Sequence, residues 1–210
     1  MQPAILYTGV VSDGNERRAG AATPPALIRV EDFLNTLDER RFERRGRRHA
    51  GGDLLATEAD LAAWLVGRGL LPPDEPVDRE SFALALALRR ALRGALAARA
   101  GQQQETDHDA AAVLRSLPLR LELDPAGEAV LRPAEAGVRG ALAVLAADIA
   151  AAAAAGVWPR LKMCGHVDCR WVFYDGSRNG RGRWCAMDVC GNRAKTHAYR
   201  QRHAATRSQQ

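Results

Sequence analysis

The four cysteines of this 210-residue chain stand in two pairs of equal spacing. Four residues separate Cys164 from Cys169 and Cys185 from Cys190, and fifteen residues lie between the pairs. Two short loops that each present two sulfurs, joined by a spacer that lets one fold over the other, suit the tetrahedral Cys₄ coordination of a structural Zn²⁺. The spacing therefore predicts one structural zinc ion with these four cysteines as its ligands.

Two histidines near the cysteines are rival ligands, His166 inside the first pair and His197 beyond the second. Because four thiolates already complete a tetrahedral site, we leave both histidines out of the ligand set. Such a closed site has no open position for a water molecule, which argues against metal catalysis. The chain also shows no spacing typical of a Ser/His/Asp or Cys/His nucleophile and no Gly-rich phosphate loop, so we predict that it is not an enzyme.

The spacer between the cysteine pairs predicts a hairpin. Residues 171–174 favour a strand, with Trp171 and Phe173 on one face and the other two residues on the opposite face. A turn over residues 175–180 and a returning strand over 181–184 would complete the hairpin. A module this small cannot bury enough apolar surface to fold alone, so metal binding must supply much of its folding energy.

The residues after Cys190 predict a basic helix, with Asn192 as its N-cap. From residue 160 to the end, the chain has eleven Lys or Arg and three Asp or Glu, a net charge of +8, whereas the remainder carries −3. Basic stripes with few acids suit a helix lying along a nucleic acid, where phosphates would take most of the side chains. The candidate nucleic-acid contacts are Arg178, Arg181 and Arg183 in the loop and Arg193, Lys195, Arg200 and Arg202 on the helix.

The preceding residues predict a mainly helical body. Apolar residues recur at helical spacing from Leu27 to Leu37, Thr57 begins a capping box, and the apolar helix over residues 76–100 is expected at the centre of the core. The basic run 40–48 is interpreted as a solvated helix end. Further helices are predicted over residues 109–116 and 134–155, and a β-hairpin over 119–132 with its turn at 124–127.

Three polar side chains of this body, Asn35, Asp53 and Arg89, could line a pocket for a small anionic ligand. The apolar pattern of the helix over residues 76–100 is interrupted by Arg89, Arg90 and Arg93, and a structural ion pair is the preferred interpretation of such an arginine, ahead of binding to an anionic ligand. The N-terminus lacks the features of a signal peptide, and the Ala-rich run 141–157, broken by Asp148, predicts no membrane span. We therefore expect a cytoplasmic protein, in which reduced cysteines serve as metal ligands rather than disulfides.

The stretch from Leu161 to Lys195 resembles the CGNR zinc finger, which is named for the motif at residues 190–193. The resemblance extends to Trp171, Phe173, Asp175, Ser177, Trp184, Met187 and Lys195, while Gly180 and Gly182 stand where the family tends to have Ser or Arg. The body resembles the ABATE domain, which usually precedes this finger, at residues 32–36, 53–55, 61, 64–65, 88–89 and 91–92.

The resemblance implies a stress-responsive transcription regulator with an ABATE-like domain over residues 1–157 and a CGNR-type zinc finger over 160–205. The expected fold is mainly α (α+β), a helical domain with a small β-hairpin followed by a zinc-ribbon-like module of hairpin and basic helix. The finger would bind duplex DNA, and the body would sense a ligand or form a homodimer. Two alternatives remain open: RNA binding, with Trp171 or Tyr174 stacking on bases, and a zinc-stabilised protein-interaction module.

Overall fold

The computed structural model describes residues 22–44, 47–102 and 110–196, together with Tyr199. Its α-helices are α1 (Pro25–Leu34), α2 (Glu58–Val66), α3 (Arg79–Arg99), α4 (Ala110–Arg115) and α5 (Gly137–Ala154). Its strands are β1 (Leu37–Asp38), β2 (Phe42–Arg44), β3 (Arg47–His49), β4 (Gly52–Asp53), β5 (Leu119–Leu123), β6 (Ala129–Pro133), β7 (Leu161–Met163) and β8 (Val172–Tyr174). They pair antiparallel as β1–β4, β2–β3, β5–β6 and β7–β8. The mainly α (α+β) prediction is confirmed.

Helices α1, α3 and α5 form the core of the body. The apolar spacing of α1 places one of its faces in the core. Beside that face, Arg29 donates to both carboxylate oxygens of Asp148 on α5 at 2.8 Å. The buried face of α1 consists of Leu27, Val30, Phe33 and Leu34. Helix α3 packs against both α1 and α5 and buries Leu88, Leu92 and Leu96 in the core, as predicted for this helix.

Side chains cap the next two helices at their start. Thr57 and Asp60 form the predicted capping box, in which the Asp60 amide donates to Thr57 Oγ1 at 3.2 Å and the Thr57 amide donates to Asp60 Oδ2 at 2.9 Å. The carboxylate of Asp78 accepts from the Ser81 amide at 2.7 Å and fixes the first turn of α3. These local signals are sufficient to place both helices.

Residues 37–53 differ from the prediction. The run 40–48 is not a helix end, and Leu37 does not extend the apolar face of α1. Instead α1 ends at Leu34, β1 pairs with β4, and β2 pairs with β3 in an arginine-rich hairpin. The physical reason is that the chain after α1 runs extended against the C-terminal module, where the Arg41 amide donates to the Asp168 carbonyl at 3.0 Å.

The C-terminal module shares the core of the body. Strands β7 and β8 flank the first cysteine pair and pair with each other, so the predicted hairpin between Trp171–Tyr174 and residues 181–184 is wrong. Leu161, Met163 and Val172 from these strands are buried in the same apolar cluster as α1 and α3. The body covers the buried face of β7–β8, while residues 181–184 bond to Lys162 and Gly165 without forming a strand.

Helix α5 is long and apolar enough to cross a membrane by length and composition alone. It packs against α1, α3 and β6, and its buried residues include Leu142, Leu145 and Asp148. Within the described residues, α5 is therefore a core helix that contacts protein along one face.

Candidate metal centre and nucleic-acid interface

The four cysteine sulfurs converge on one point. All four Sγ atoms lie within 4.8 Å of one another, with Cys169 and Cys185 at 3.6 Å and Cys185 and Cys190 at 3.8 Å. Four sulfurs bound to zinc at about 2.3 Å would lie about 3.8 Å apart at tetrahedral corners. Cys164, Cys169 and Cys190 are buried and Cys185 is partly exposed. The donor type, the spacing and the burial all fit one structural zinc ion.

The first cysteine pair sits on the turn that joins β7 to β8. The Cys164 amide donates to the Trp171 carbonyl at 2.8 Å, which closes the strand pair, and the Cys169 amide donates to the His166 carbonyl at 2.9 Å. The Gly165 amide donates to the Arg183 carbonyl at 2.8 Å, and a Cβ at Gly165 would lie 3.2 Å from the Trp184 ring. The small residue lets the second half of the module approach the first.

The last cysteine, Cys190, lies in a helical turn, and Cys185 comes just before that turn. A π-helical turn, Met187–Gly191, contains Cys190, and residues 192–196 continue it as α-helix. The prediction that Asn192 is the N-cap is wrong, because its φ of −70° and ψ of −39° already lie inside the helix. Since Cys190 belongs to the first turn, the zinc ion attaches directly to the helix that follows it.

Aromatic side chains divide the module into two faces. Phe173, Trp171 and Trp184 pack around the cysteines, whereas Val172 and Tyr174 pack against the core of the body. This arrangement confirms the predicted alternation along residues 171–174. The outer face of Trp171 carries the guanidinium of Arg40 at 4.0 Å, and Arg40 is in turn paired with Asp38 at 2.7 Å.

The Asp38 carboxylate binds two basic side chains of the body beside the module. Arg40 donates to both of its oxygens, and His49 Nε2 lies 2.7 Å from Oδ2. Burial raises the pKa of Asp38, but the hydrogen bonds from Arg40 and His49 outweigh that effect and bring the pKa to about 2. The carboxylate therefore stays ionised and holds Arg40 over Trp171.

Asp175 organises the loop that separates the cysteine pairs. Its Oδ2 accepts from Lys162 Nζ at 2.7 Å and from the Gly182 amide at 2.6 Å, while its Oδ1 accepts from the Ser177 hydroxyl at 2.6 Å. Burial raises the pKa of Asp175, but these bonds outweigh it and lower the pKa to about 2. A Cβ at Gly182 would lie 2.8 Å from Oδ1, so the glycine is required by the closeness of this carboxylate.

Arg160 completes the support of the loop. Its Nη1 donates to the carbonyls of Asp175 at 3.1 Å and Ser177 at 2.7 Å. The loop itself presents Arg178, Arg181 and Arg183 with their side chains exposed. Two basic residues inside the module are therefore used for structure, while the predicted phosphate contacts of the loop face solvent.

The helix residues that were predicted to contact nucleic acid do not share one environment. Lys195 is exposed. The guanidinium of Arg193 stacks on the Phe42 ring at 4.5 Å and donates to Asp168 Oδ2 at 3.1 Å, with 28% of its side chain exposed. Arg193 thus joins the helix to β2 of the body and to the first cysteine turn. Arg200, Arg202 and the rival ligand His197 lie outside the described residues.

Sequence reasoning missed the contacts that fasten the module to α3. Arg93 donates to the carbonyls of Leu34 at 2.8 Å and Arg170 at 3.1 Å, and it pairs with Glu39. Burial lowers the pKa of Arg93, and the charge of Glu39 opposes that effect. Two residues further along the chain also reach the module: Arg99 at the end of α3 donates to the Leu161 carbonyl, and Gln102 just after the helix donates to the Cys164 carbonyl at 2.9 Å. In the sequence, the only sign of these contacts was the arginines that interrupt the apolar pattern of α3.

The three candidate ligand residues are bonded to protein groups. Arg89 donates to both oxygens of Asp53 at 2.6 Å and to Thr36 Oγ1 at 2.9 Å, which confirms the structural ion pair. Burial raises the pKa of Asp53, but Arg89 outweighs it and the pKa falls below its ordinary value. Asn35 bonds the backbone of Val172. The side-chain amide of Asn35 is therefore directed at β8.

Comparison with known families gives two matches. The CGNR zinc finger model matches residues 160–203. The ABATE model, described as "Putative stress-induced transcription regulator", matches residues 29–157, which is more than half of the chain. No curated protein matches the chain. Neither matching family is an enzyme class, and the finger match agrees with the four-cysteine cluster as the site of one structural zinc ion.

Proposed function

The chain belongs to the ABATE family and carries a C-terminal CGNR zinc finger, and on that premise we propose that it is a DNA-binding transcription regulator. The finger would lie on duplex DNA through its loop and its helix, and the body would fix the finger in position. The observation that carries the proposal is the exposure of Arg178, Arg181 and Arg183 on a loop that a closed zinc site and a buried carboxylate hold in place.

The loop suits phosphate binding because the carboxylate of its acidic residue, Asp175, is already paired within the module. Asp175 is buried and bonded to Lys162, so its charge is neutralised inside the module. The exposed arginines are then free of a competing carboxylate on the loop, and Lys195 adds a cation on the neighbouring helix. Preorganised cations lose little conformational entropy when they meet a phosphate backbone, which favours binding.

The body adds one more exposed cation, beside the first cysteine turn. Arg41 precedes β2, has an exposed side chain and is tied to the first cysteine turn through its amide bond to the Asp168 carbonyl. We therefore include Arg41 in the proposed interface. The body also positions the finger, since Arg93 and Arg99 of α3 and Gln102 just after it bond the finger directly. A cytoplasmic location, where thiols stay reduced, suits the zinc site and is part of the proposal.

Duplex binding over a salt series tests the proposal. We expect the affinity of the full chain to fall steeply with salt, and the Arg178→Ala/Arg181→Ala double variant to lose about two units of the log–log salt slope, about one per phosphate contact. Arg79→Ala is the matched control. Arg79 begins α3 and is exposed, about 30 Å from the end of that helix where Arg99 meets the finger. We expect this control to bind as the wild type does.

Two other outcomes would replace the proposal. Tighter binding to structured RNA than to duplex DNA in direct competition would favour the RNA alternative, although Trp171 already carries Arg40 on one face. A wild-type protein that shifts no duplex at low salt would favour a protein-interaction module. Loss of binding in the Arg79→Ala control to the same extent as in the loop variant would remove the assigned surface.

A further inference from the structure

Strand β5 has an unpaired edge. Among the residues that the structure describes, β5 pairs with β6 alone. The Asp124 amide donates to the Glu128 carbonyl at 2.9 Å, and the Ala134 amide donates to the Pro118 carbonyl at 3.0 Å. Because bonded pairs alternate along an antiparallel ladder, the even-numbered residues of β5 bond to β6. The backbone N–H and C=O groups of the three leucines of β5 therefore point to the free edge.

The hairpin around this edge is apolar and exposed. Leu121 is 70% exposed, Leu123 is 73% exposed, and Leu131 on β6 is 40% exposed. A two-stranded hairpin is marginally stable alone, and an exposed apolar edge strand is a template for pairing with another chain. The residues of β5 alternate as Leu-Arg-Leu-Glu-Leu, so the leucines share one face and the two charges share the other.

We propose that β5 pairs antiparallel with β5 of a second copy of this chain, with the two-fold axis at Leu121. In this register Leu121 faces its own copy and Leu119 faces Leu123, and these are the residues whose backbone groups are free. Arg120 of each copy then stands opposite Glu122 of the other, at the non-hydrogen-bonded positions where side chains lie closest. The strand is complementary to itself in hydrogen bonding, apolar contact and charge.

The charges select this register over its neighbours. An axis at Arg120 would set two arginines opposite each other, and an axis at Glu122 would set two carboxylates opposite each other. In all three registers the free backbone groups of the leucines can bond across the interface, so the charges decide between them. Within one copy, Arg120 already faces Arg132 across the ladder, and like charges directly opposite are destabilising. Glu122 of the second copy would bring a carboxylate to the other side of Arg120.

The pairing would join the two hairpins into one four-stranded sheet, β6–β5–β5–β6. It gives the molecule closed two-fold symmetry through a self-complementary surface, as in most homodimers. The inference concerns the body alone and stands independently of what the finger binds. Light scattering and sedimentation report it, whereas duplex binding over salt reports the proposed function, so failure of one is distinguishable from failure of the other.

A charge exchange between copies tests the pairing. For the wild-type chain we expect a species of twice 22.7 kDa by sedimentation. Arg120→Glu alone and Glu122→Arg alone each set like charges across the interface, and we expect each to weaken the dimer at least about tenfold. An equimolar mixture of these two variants should restore the two-chain species, because each all-acidic strand then meets an all-basic one.

The mixture separates the interface from a contact inside one chain. Arg120 also pairs with Glu122 of its own strand, but mixing two variants cannot repair that intrachain contact. Leu121→Pro is a second variant, since it removes an outward N–H and no bond to β6. We expect it to be monomeric with unchanged zinc content and helical circular dichroism. A monomeric wild type at concentrations up to about 100 µM, a dimer unaffected by these variants, or a mixture that stays monomeric would each overturn the proposal.

Discussion

The side-chain amide of Asn35 bonds to both backbone groups of Val172, donating to the Val172 carbonyl at 2.8 Å and accepting from its amide at 2.9 Å. Asn35 follows α1 of the body, and Val172 begins β8 of the finger. The side chain thus takes the place of a neighbouring strand for one residue. It satisfies two buried backbone groups that would otherwise have no partner, because β8 pairs with β7 on its other side.

Replacing Asn35 with Ala should loosen the finger from the body. The change leaves the N–H and C=O of Val172 without partners, and we expect the free energy of unfolding to fall by about 2–4 kcal/mol. Hydrogen exchange of the Val172 amide should accelerate, while the Cys164 amide, bonded to the Trp171 carbonyl inside the first cysteine turn, should keep its protection. Unchanged exchange at Val172 would contradict the role given to Asn35.

The sequence was sufficient for features that depend on near neighbours. The alternation along residues 171–174 and the Thr57 capping box are decided within a few residues, and the cysteine cluster within the stretch 164–190; all three appear in the structure. The start of the finger's helix was missed because Cys190 itself lies in the first turn, and a metal-bound turn does not need the side-chain cap that Asn192 seemed to offer.

Long-range partners could not be predicted from the sequence. Asn35 and Val172 are 137 residues apart, and Arg93 reaches the Arg170 carbonyl across 77 residues. Single-sequence patterns show that such side chains are polar within an apolar helix or at its end, but they do not show which backbone groups need a partner. The arginine-rich run 40–48 was misassigned for the same reason, since its extended form depends on the finger beside it.

Arg193 should behave as a structural residue as well as a cation. Arg193→Lys keeps the charge but loses the planar group that stacks on Phe42 and bonds Asp168. We expect a loss of about 1–2 kcal/mol in stability, measured by thermal unfolding of the zinc-loaded chain.

Lys195→Ala is the matched control for Arg193, because Lys195 is exposed on the same helix. Its removal should leave thermal stability unchanged and reduce only salt-dependent binding to duplex DNA. If Arg193→Lys and Lys195→Ala unfold at the same temperature as the wild type, the contacts of Arg193 with Phe42 and Asp168 contribute nothing to the stability of the folded chain.

Asp175 should stabilise the loop equally at every pH from about 5.5 to 8. Its pKa of about 2 in the folded chain lies below its ordinary value of 3.8, so its contribution is fully present above the unfolded pKa and is lost only as the pH falls from about 4 toward 2. We expect Asp175→Asn to cost about 2 kcal/mol, with a difference from wild type that is flat across that range. A difference that changes between pH 5.5 and 8 would show that another group controls the effect. Ser177→Ala, which removes one bond to the same carboxylate, should cost less.

Removing the zinc ion should destabilise the body as well as the finger. The four cysteines hold the turn between β7 and β8, and these strands place Leu161, Met163 and Val172 in the core shared with α1 and α3. Metal binding and folding of such a module are coupled, so loss of the ion removes the support of those buried side chains.

With a strong zinc chelator we expect one cooperative thermal transition, monitored by helical circular dichroism, at a temperature clearly below that of the zinc-loaded chain. Restoring zinc under reducing conditions should restore the transition. A body that melts at the same temperature with and without zinc would mean that β7 and β8 keep Leu161, Met163 and Val172 in the core without the ion. Leu161→Ala in the zinc-loaded chain measures the packing separately, with an expected loss of about 2–5 kcal/mol.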